Sequence, residues 1–313
     1  MKFINQPIGP LNNYSRCFFG IWFLAMAASV GWRNADGPSY KEQIDAWHQT
    51  RINSLKSETG WLNLAGLFWL SNGKNSLGRG TDFDLAFPVA DAPADLGALY
   101  LENGHVRFVP KVGAAVLADG KPVTGPLVIF APDQKPLVLA HGSLRWFIIK
   151  RGPKYGVRLR DLDSPQLKEF QTIDRYPIDE SWRIKARLET PSTPTTIPII
   201  DVLGLTSQQP LAGTLVFERA GKTYRLDAVE EGDKLFILFG DPTNAHETYG
   251  AGRFLYADRP VSGVGEKGLV VLDFNQSINP PCAFTPFATC PIPPKQNKLA
   301  VAVTAGEKRY GEH

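Results

Sequence analysis

The segment Leu144-Arg-Trp-Phe-Ile-Ile-Lys-Arg-Gly-Pro-Lys-Tyr-Gly-Val-Arg-Leu159 decides the fold class. Its two apolar runs, residues 144–149 and 155–159, flank the turn Arg151-Gly-Pro-Lys154. Apolar, β-branched and aromatic residues on either side of such a turn are typical of a β-hairpin. Similar runs alternate with turn residues every eight to twelve positions from Trp61 onward. The pattern predicts a mainly β chain built from sandwiches or barrels.

The strand pattern falls into two parts on either side of a polar segment. Residues 161–180 contain Ser164-Pro165, Tyr176-Pro177 and Asp179-Glu180 and break the alternation. We therefore expect an N-terminal β domain over residues 61–165 and a C-terminal β domain over residues 166–313. The first is predicted to be a β-sandwich packed on a second, β-barrel or sandwich-like half, and the short connector favours close packing.

An amphipathic helix is predicted before the first strand, within residues 30–60. Ser39-Tyr-Lys-Glu42 is a capping box, in which the Ser and Glu side chains each accept from the other's backbone amide. Helical spacing then places Ile44, Trp47, Ile52 and Leu55 on one face. The helix is expected to end before Gly60 and to pack against a sheet.

The N-terminus has the three parts of a secretory signal peptide over residues 1–29. Lys2 and Arg16 supply positive charge, residues 17–28 are an apolar run, and small residues suited to cleavage follow at positions 27 and 29. The sequence predicts export to the periplasm or outside the cell, with an uncleaved N-terminal membrane anchor as the alternative. No segment of the mature chain approaches the roughly 20 apolar residues of a membrane span.

Charge and motifs exclude several classes of function. The formal charge of the 313-residue chain is +3, but removing residues 1–29 leaves 32 bases against 31 acids. No basic block remains that would favour nucleic acid as a partner. The five His and three Cys show no metal-ligand spacing, and no phosphate-binding or nucleotide-cofactor loop occurs. Neither a metal nor a cofactor is expected.

The N-terminal domain carries a resemblance to a known fold. Gly73-Lys-Asn-Ser-Leu-Gly-Arg79, followed by Asp82-Phe-Asp-Leu85, resembles the start of a forkhead-associated domain. The resemblance implies a β-sandwich. Such domains bind phosphothreonine through an Arg and a Ser on adjacent loops. The second loop here, Ala92-Pro-Ala-Asp-Leu-Gly97, lacks the Ser-x-x-His pattern, so phosphopeptide binding is not expected.

The C-terminal third contains three distinctive groups of short sequence motifs. They are Asp241-Pro-Thr243 with Glu247-Thr-Tyr-Gly-Ala-Gly-Arg253; Leu272-Asp-Phe-Asn275 with Asn279-Pro-Pro-Cys282; and Thr289-Cys-Pro-Ile-Pro-Pro294 with Ala305-Gly-Glu-Lys308. Together they resemble the signature of an uncharacterised bacterial family, domain of unknown function 1684, over about residues 40–310. The resemblance implies no activity.

Cys282 and Cys290 are the two cysteines of the body that follows the N-terminal segment. Two nearby cysteines in an exported protein often pair, so we expect a structural disulfide. A buried pair of free thiols is one alternative, because free Cys packs as a small hydrophobe. A catalytic thiol is another, although it needs a base or a positive site nearby.

Polar residues at strand ends form the candidate ligand site. Asp273 and Asn275 follow the apolar run 268–272 and are predicted to face the same side of a strand. Arg253 follows Gly252 and precedes an apolar triplet, so its head is expected to turn inward toward Asp273. The predicted pocket consists of Tyr249, Arg253, Asp273, Asn275 and Asn279, and a structural Arg253–Asp273 ion pair is the alternative interpretation.

Two functions fit these residues. The first is a non-enzymatic protein of the cell envelope that binds a small polar ligand or an envelope protein. The second is a hydrolase-like enzyme in which Asp273 is the base and Arg253 and Asn275 bind an anionic or carbonyl group. The catalytic residues stay unassigned, since no nucleophile–base pair or nucleophile elbow is recognisable.

Overall fold

The fold is mainly β and is seen in a computed structural model that describes residues 37–89, 92–260 and 269–311. The predicted signal peptide lies outside these ranges. Within them are helices α1 (Tyr40–Lys56) and α2 (Pro165–Glu169). The strands are β1 (Leu64–Trp69), β2 (Gly73–Gly78), β3 (Leu85–Ala86), β4 (Asp95–Glu102), β5 (His105–Pro110), β6 (Leu117–Ala118), β7 (Lys121–Pro122), β8 (Leu127–Phe130), β9 (Leu139–His141), β10 (Leu144–Arg151), β11 (Lys154–Asp161), β12 (Arg183–Glu189), β13 (Thr196–Ile200), β14 (Thr206–Arg219), β15 (Lys222–Glu231), β16 (Lys234–Phe239), β17 (Arg253–Asp258) and β18 (Leu269–Asp273).

Strands β1–β11 form the predicted β-sandwich. One sheet has the order β1-β11-β10-β9-β6-β7 and the other has the order β3-β2-β4-β5-β8. Both sheets contribute side chains to a single apolar core, in which Phe108 faces Trp146 at a ring-centroid distance of 6.5 Å. Alternate residues of each strand therefore point into the space between the sheets.

The β10–β11 hairpin predicted from the sequence is present, with Arg151 paired to Lys154 across the turn. Val157 and Leu159 are fully buried in the sandwich core. Because strand side chains alternate, Arg158 and Arg160 lie on the opposite face, which looks away from that core. On this face Arg160 donates to Gly60 and Asn63, and Arg158 lies beside Trp61 and near the cysteines of the C-terminal half.

The C-terminal half is a nearly closed, barrel-like sheet with the order β17-β16-β15-β14-β12-β18 and β13 added beside β14. Its interior is lined by a second apolar core that includes Leu226, Ile237 and Phe274. Strand β12 and the residue before it alternate as predicted, with Trp182 and Ala186 buried and Arg183 and Lys185 between them exposed. Of the two architectures expected here, the barrel is the one observed.

Helix α1 packs against the C-terminal half. Its capping box is formed as predicted, with Ser39 N donating to Glu42 at 2.7 Å. Ile44, Ile52 and Leu55 are buried, and Ile52 and Leu55 join a small apolar cluster with Phe284. No helix within the described ranges is long and apolar enough to cross a membrane.

The chain links its two halves through residues 162–182 and through direct contacts. Arg151 Nε donates to Thr289 Oγ1 at 2.8 Å, and the Gln166 side chain donates to the carbonyl of Phe284. These contacts join the outer face of the sandwich to the loop that carries both cysteines. The domain boundaries drawn from the sequence stay a prediction.

Candidate functional site

Asp273 and Asn275 lie together at the end of β18. Residues Phe274–Gln276 form a 3-10 turn, and the Asp273 carboxylate caps it by accepting from the amide of Asn275 at 3.1 Å. The prediction that Asn275 continues the strand was wrong, because this cap turns the chain at Asp273. The two side chains still meet, since Asn275 Nδ2 donates to Asp273 Oδ1 at 3.2 Å.

Tyr40, at the start of α1, completes this group. Its hydroxyl lies 2.8 and 3.0 Å from the two carboxylate oxygens of Asp273, and it accepts from Asn275 Nδ2 at 2.9 Å. Burial and the hydrogen bond to Asp273 raise the pKa of Tyr40 far above its ordinary value. The Tyr40 hydroxyl therefore keeps its proton and donates it in a hydrogen bond to the Asp273 carboxylate.

A groove opens beside Tyr40, between the start of α1 and the segment that leads to β12. Its volume is about 660 Å³. Lys41 and Arg175 both form ion pairs with Asp45, at the edge of the groove. The lining consists of Tyr40, Lys41, Arg175, Tyr176, Pro177, Ile178 and Glu180.

Arg253 is not paired with Asp273, and that expectation was wrong. Its side chain is fully buried and pairs with the equally buried Asp241, with Nη2 and Oδ2 3.0 Å apart. The guanidinium also donates to the carbonyl oxygens of Val303 at 2.8 Å and Ala305 at 2.5 Å. Burial lowers the pKa of Arg253, and Asp241 acts against that shift. Arg253 therefore ties residues 303–308, the C-terminal segment, to the barrel, because its guanidinium donates to backbone carbonyls of this segment.

Asn279 binds the same C-terminal segment. Its amide donates to Glu307 Oε2 at 2.6 Å, and its side chain donates to the carbonyl of Lys308 at 2.7 Å. Glu307 is also buried and pairs with Arg51 of α1 at 3.0 Å. The sequence motif around Glu307 thus connects the barrel to α1 through the buried ion pair between Arg51 and Glu307.

Cys282 and Cys290 are adjacent, but both are free thiols and no disulfide joins them. The expected disulfide is replaced by a weaker contact, in which the amide of Cys282 donates to Cys290 Sγ at 3.1 Å. Tyr249 lies beside this pair rather than beside Asp273. Burial, followed by electrostatic interaction with Cys282 and Cys290, raises the pKa of Tyr249 to about 12.

Two arginines that were not among the predicted site residues lie near the two thiols. Arg158 is 5% exposed and lies 5.5 Å from the ring centroid of Trp61. Arg151 reaches the neighbouring residue of Cys290, Thr289. The alternation of β11 places Arg158 outside the sandwich core, which was the available sequence clue. Nothing in the sequence indicates that this face meets the cysteine loop.

The five predicted site residues are therefore distributed over three places. Asp273 and Asn275 support Tyr40 at the groove, Arg253 and Asn279 hold the C-terminal segment, and Tyr249 lies at the thiols. In the described part of the chain, no group of three or more His, Cys, Asp or Glu side chains is arranged to hold a metal ion. Ligand binding by the five residues stays a prediction.

Comparison with known proteins adds a family but no activity. An uncharacterized protein from Haloarcula marismortui, solved by NMR in solution, is similar over 48% of this chain and 83% of its own length, with 29% identity and a TM-score of 0.40. No curated protein matches the chain. Residues 168–308 match the family described as Protein of unknown function (DUF1684), a shorter match than the expected 40–310. This region contains the barrel and its C-terminal segment, and through it the chain is similar to the DUF1684 family.

Proposed function

We propose that this protein binds a small polar ligand in the groove beside Tyr40. The observation that carries the proposal is the bonding of the Tyr40 hydroxyl to both Asp273 and Asn275, at the wall of a groove of about 660 Å³. Ligand sites commonly combine an apolar wall with a few fixed polar groups. In this arrangement the two predicted site residues act by orienting Tyr40 instead of touching the ligand.

The groove lining favours a ligand that carries an acidic group on an apolar or ring-shaped body. Lys41 and Arg175 offer cationic donors, while Tyr40, Tyr176 and Ile178 offer aromatic and apolar surface. Both cations share the single carboxylate of Asp45. An incoming anion would add a second negative charge between them, and Arg in particular suits carboxylate and phosphate groups.

A thermal-shift screen tests this proposal on the purified protein. The panel consists of small carboxylates, aromatic acids and sugar phosphates. We expect at least one class to raise the melting temperature of the wild type, and Tyr40→Phe and Lys41→Ala to reduce that shift. Tyr100→Phe is the matched control, because Arg107 lies over the Tyr100 ring as Arg183 lies over the Tyr40 ring, and Tyr100 lies outside the groove. A shift that both tyrosine variants retain in full would refute binding at this groove.

We also propose that the protein is exported, and that residues 1–29 are its signal peptide. The proposal is supported by the positive, apolar and small-residue parts of this segment. The test fuses residues 1–36 to a reporter enzyme that is active only outside the cytoplasm. Replacing the apolar run 21–25 with polar residues is the control, and an inactive unmodified fusion would contradict export.

A further inference from the structure

The thiol pair is asymmetric in its exposure. Cys290 is buried at 4% exposure, whereas Cys282 is partly exposed. Cys282 lies in the 3-10 turn Pro281–Ala283, and the chain returns to Cys290 eight residues later. The contact between the Cys282 amide and Cys290 Sγ, at 3.1 Å, holds the two residues together. Cys282 is thus the more accessible residue of the two, and Cys290 lies directly against it.

A buried cation lies beside this pair. The Nε of Arg158 has no hydrogen-bond partner among the described residues. Burial and the neighbouring Arg151 and Arg160 disfavour its charge, and the groups that favour it are Cys290 and Cys282. An unpaired buried cation is unfavourable. A thiolate in the pair would supply the missing counter-charge.

The surroundings determine which sulfur ionises. A hydrogen bond from Cys290 lowers the pKa of Cys282, and the nearby Arg158 acts in the same direction. Burial raises the pKa of Cys290 well above its ordinary value. The surroundings therefore favour ionisation of Cys282 over ionisation of Cys290. Reactive redox thiols combine low pKa, access and a neighbouring thiol in this way.

We propose that Cys282 is a hydroperoxide-reactive thiolate and that Cys290 resolves its oxidised form into a reversible disulfide. This inference is independent of the groove at Tyr40. It also differs from a permanent structural disulfide, because the reduced pair with Arg158 beside it is one of two working states.

The chemistry balances in two steps. The Cys282 thiolate attacks the terminal oxygen of a hydroperoxide, so that an S–O bond forms, the O–O bond breaks, and the alkoxide or hydroxide leaves with a solvent proton. Cys290 sulfur then attacks Cys282 sulfur, the S–S bond forms, and the hydroxyl leaves as water with the Cys290 proton. The two thiols lose two electrons to the peroxide, and an external dithiol returns them.

Thiol counting in the full chain tests the proposal. A Cys17→Ser background leaves only the pair. After reduction and desalting, one equivalent of hydrogen peroxide should remove both thiols, and dithiothreitol should restore them without denaturant. Cys290→Ser should stop at a sulfenic acid that dimedone traps, and Cys282→Ser should react at least tenfold more slowly than Cys290→Ser. Equal rates for the two serine variants would overturn the assignment of roles.

Arg158 provides a second test. Arg158→Gln should slow peroxide consumption at least tenfold, and Arg158→Lys should recover part of the rate because it keeps the charge. Arg160→Gln is the control, since Arg160 is also buried but donates to Asn63 at 2.6 Å and to the carbonyl of Gly60. Melting temperatures identify variants that fail to fold. Unchanged rates in a folded Arg158→Gln protein would refute the role of the cation.

The rate of alkylation of Cys282 against pH gives a third measurement. The groups that face the pair are Arg158, Arg151, Asp201, Tyr249 and the two thiols themselves. The midpoint in a Cys290→Ala protein should be higher than in the protein with both thiols, because the alanine removes the thiol hydrogen bond. A pair that is fully oxidised as purified and resists dithiothreitol under native conditions would show a permanent disulfide and refute the cycle.

Discussion

Asp241→Asn should strongly destabilise the C-terminal half. The Asp241 carboxylate is fully buried and accepts from Arg253 Nη2 at 3.0 Å. Its other oxygen accepts from the amide and hydroxyl of Thr243, at 2.9 and 2.6 Å. An asparagine retains one oxygen for the Thr243 bonds but removes the charge. The substitution therefore leaves the Arg253 guanidinium buried without its counter-ion.

The expected loss is about 3–5 kcal/mol, the usual cost of removing one partner of a buried ion pair. Domains of ordinary stability unfold at a cost of about 5–15 kcal/mol, so about a fifth of the stability or more is at stake. Replacing both partners, as Asp241→Leu with Arg253→Met, should cost less than the two single changes together, because neither charge is then buried alone.

Urea unfolding followed by tryptophan fluorescence and circular dichroism measures this loss from the midpoint and slope. Asp258→Asn is the matched control, since it makes the same chemical change in β17 at the exposed Lys234–Asp258 pair. That control should cost less than about 1 kcal/mol. A loss for Asp241→Asn no greater than for the control would show that the buried pair does not hold the segment.

Three further outcomes are expected. Gly306→Ala should cost roughly 2 kcal/mol or more in urea unfolding, because φ is +80° and a Cβ would lie within 2.7 Å of two carbonyl oxygens. The control Gly221→Ala, with φ of +70° and open space around it, should cost only about 1 kcal/mol. Equal losses for the two variants would contradict the clash at Gly306. Ser39→Ala should lower stability by about 0.5–2 kcal/mol through loss of the capping box, and Ser57→Ala, outside the N-cap, should cost less. Since the pKa of Tyr249 is about 12 in the folded protein and its ordinary value is 10.0, its contribution to stability is complete below pH 10 and is lost as the pH rises to 12. Tyr249→Phe should therefore show a smaller loss of unfolding free energy between pH 10 and pH 12 than the wild type. An unchanged loss would refute the raised pKa.

Much of the fold could be predicted because its cues are local. The β10–β11 turn, the capping box at Ser39 and the alternation along β12 each depend on residues a few positions apart. The stretch Phe83-Asp-Leu-Ala-Phe87 predicts a strand by its composition, but the structure has only the two-residue strand β3, Leu85–Ala86. There a parallel pairing with the end of β2 supports only two residues, and local propensity does not report the length of a pairing partner.

The candidate site was predictable in its residue types but not in its pairings. The sequence indicated that Arg253 turns inward, which is correct, but it could not choose between Asp241 and Asp273 as its partner. The sequence motifs around Asp241 and Asp273 are both compatible with pairing to Arg253. The register of β16 and β17, in which Phe239 pairs with Arg253, brings Asp241 to the guanidinium, and that register depends on the whole barrel.

By itself, the sequence determined the β class, the capped helix and the polar character of the C-terminal segment, because turn preference, capping and alternation act between near neighbours. Only the tertiary structure decided that Tyr40 meets Asp273, 233 residues away, and that Arg158 faces the cysteines of the other half. Buried charges take the partners that packing places beside them, and those partners come from elements that are distant in the chain.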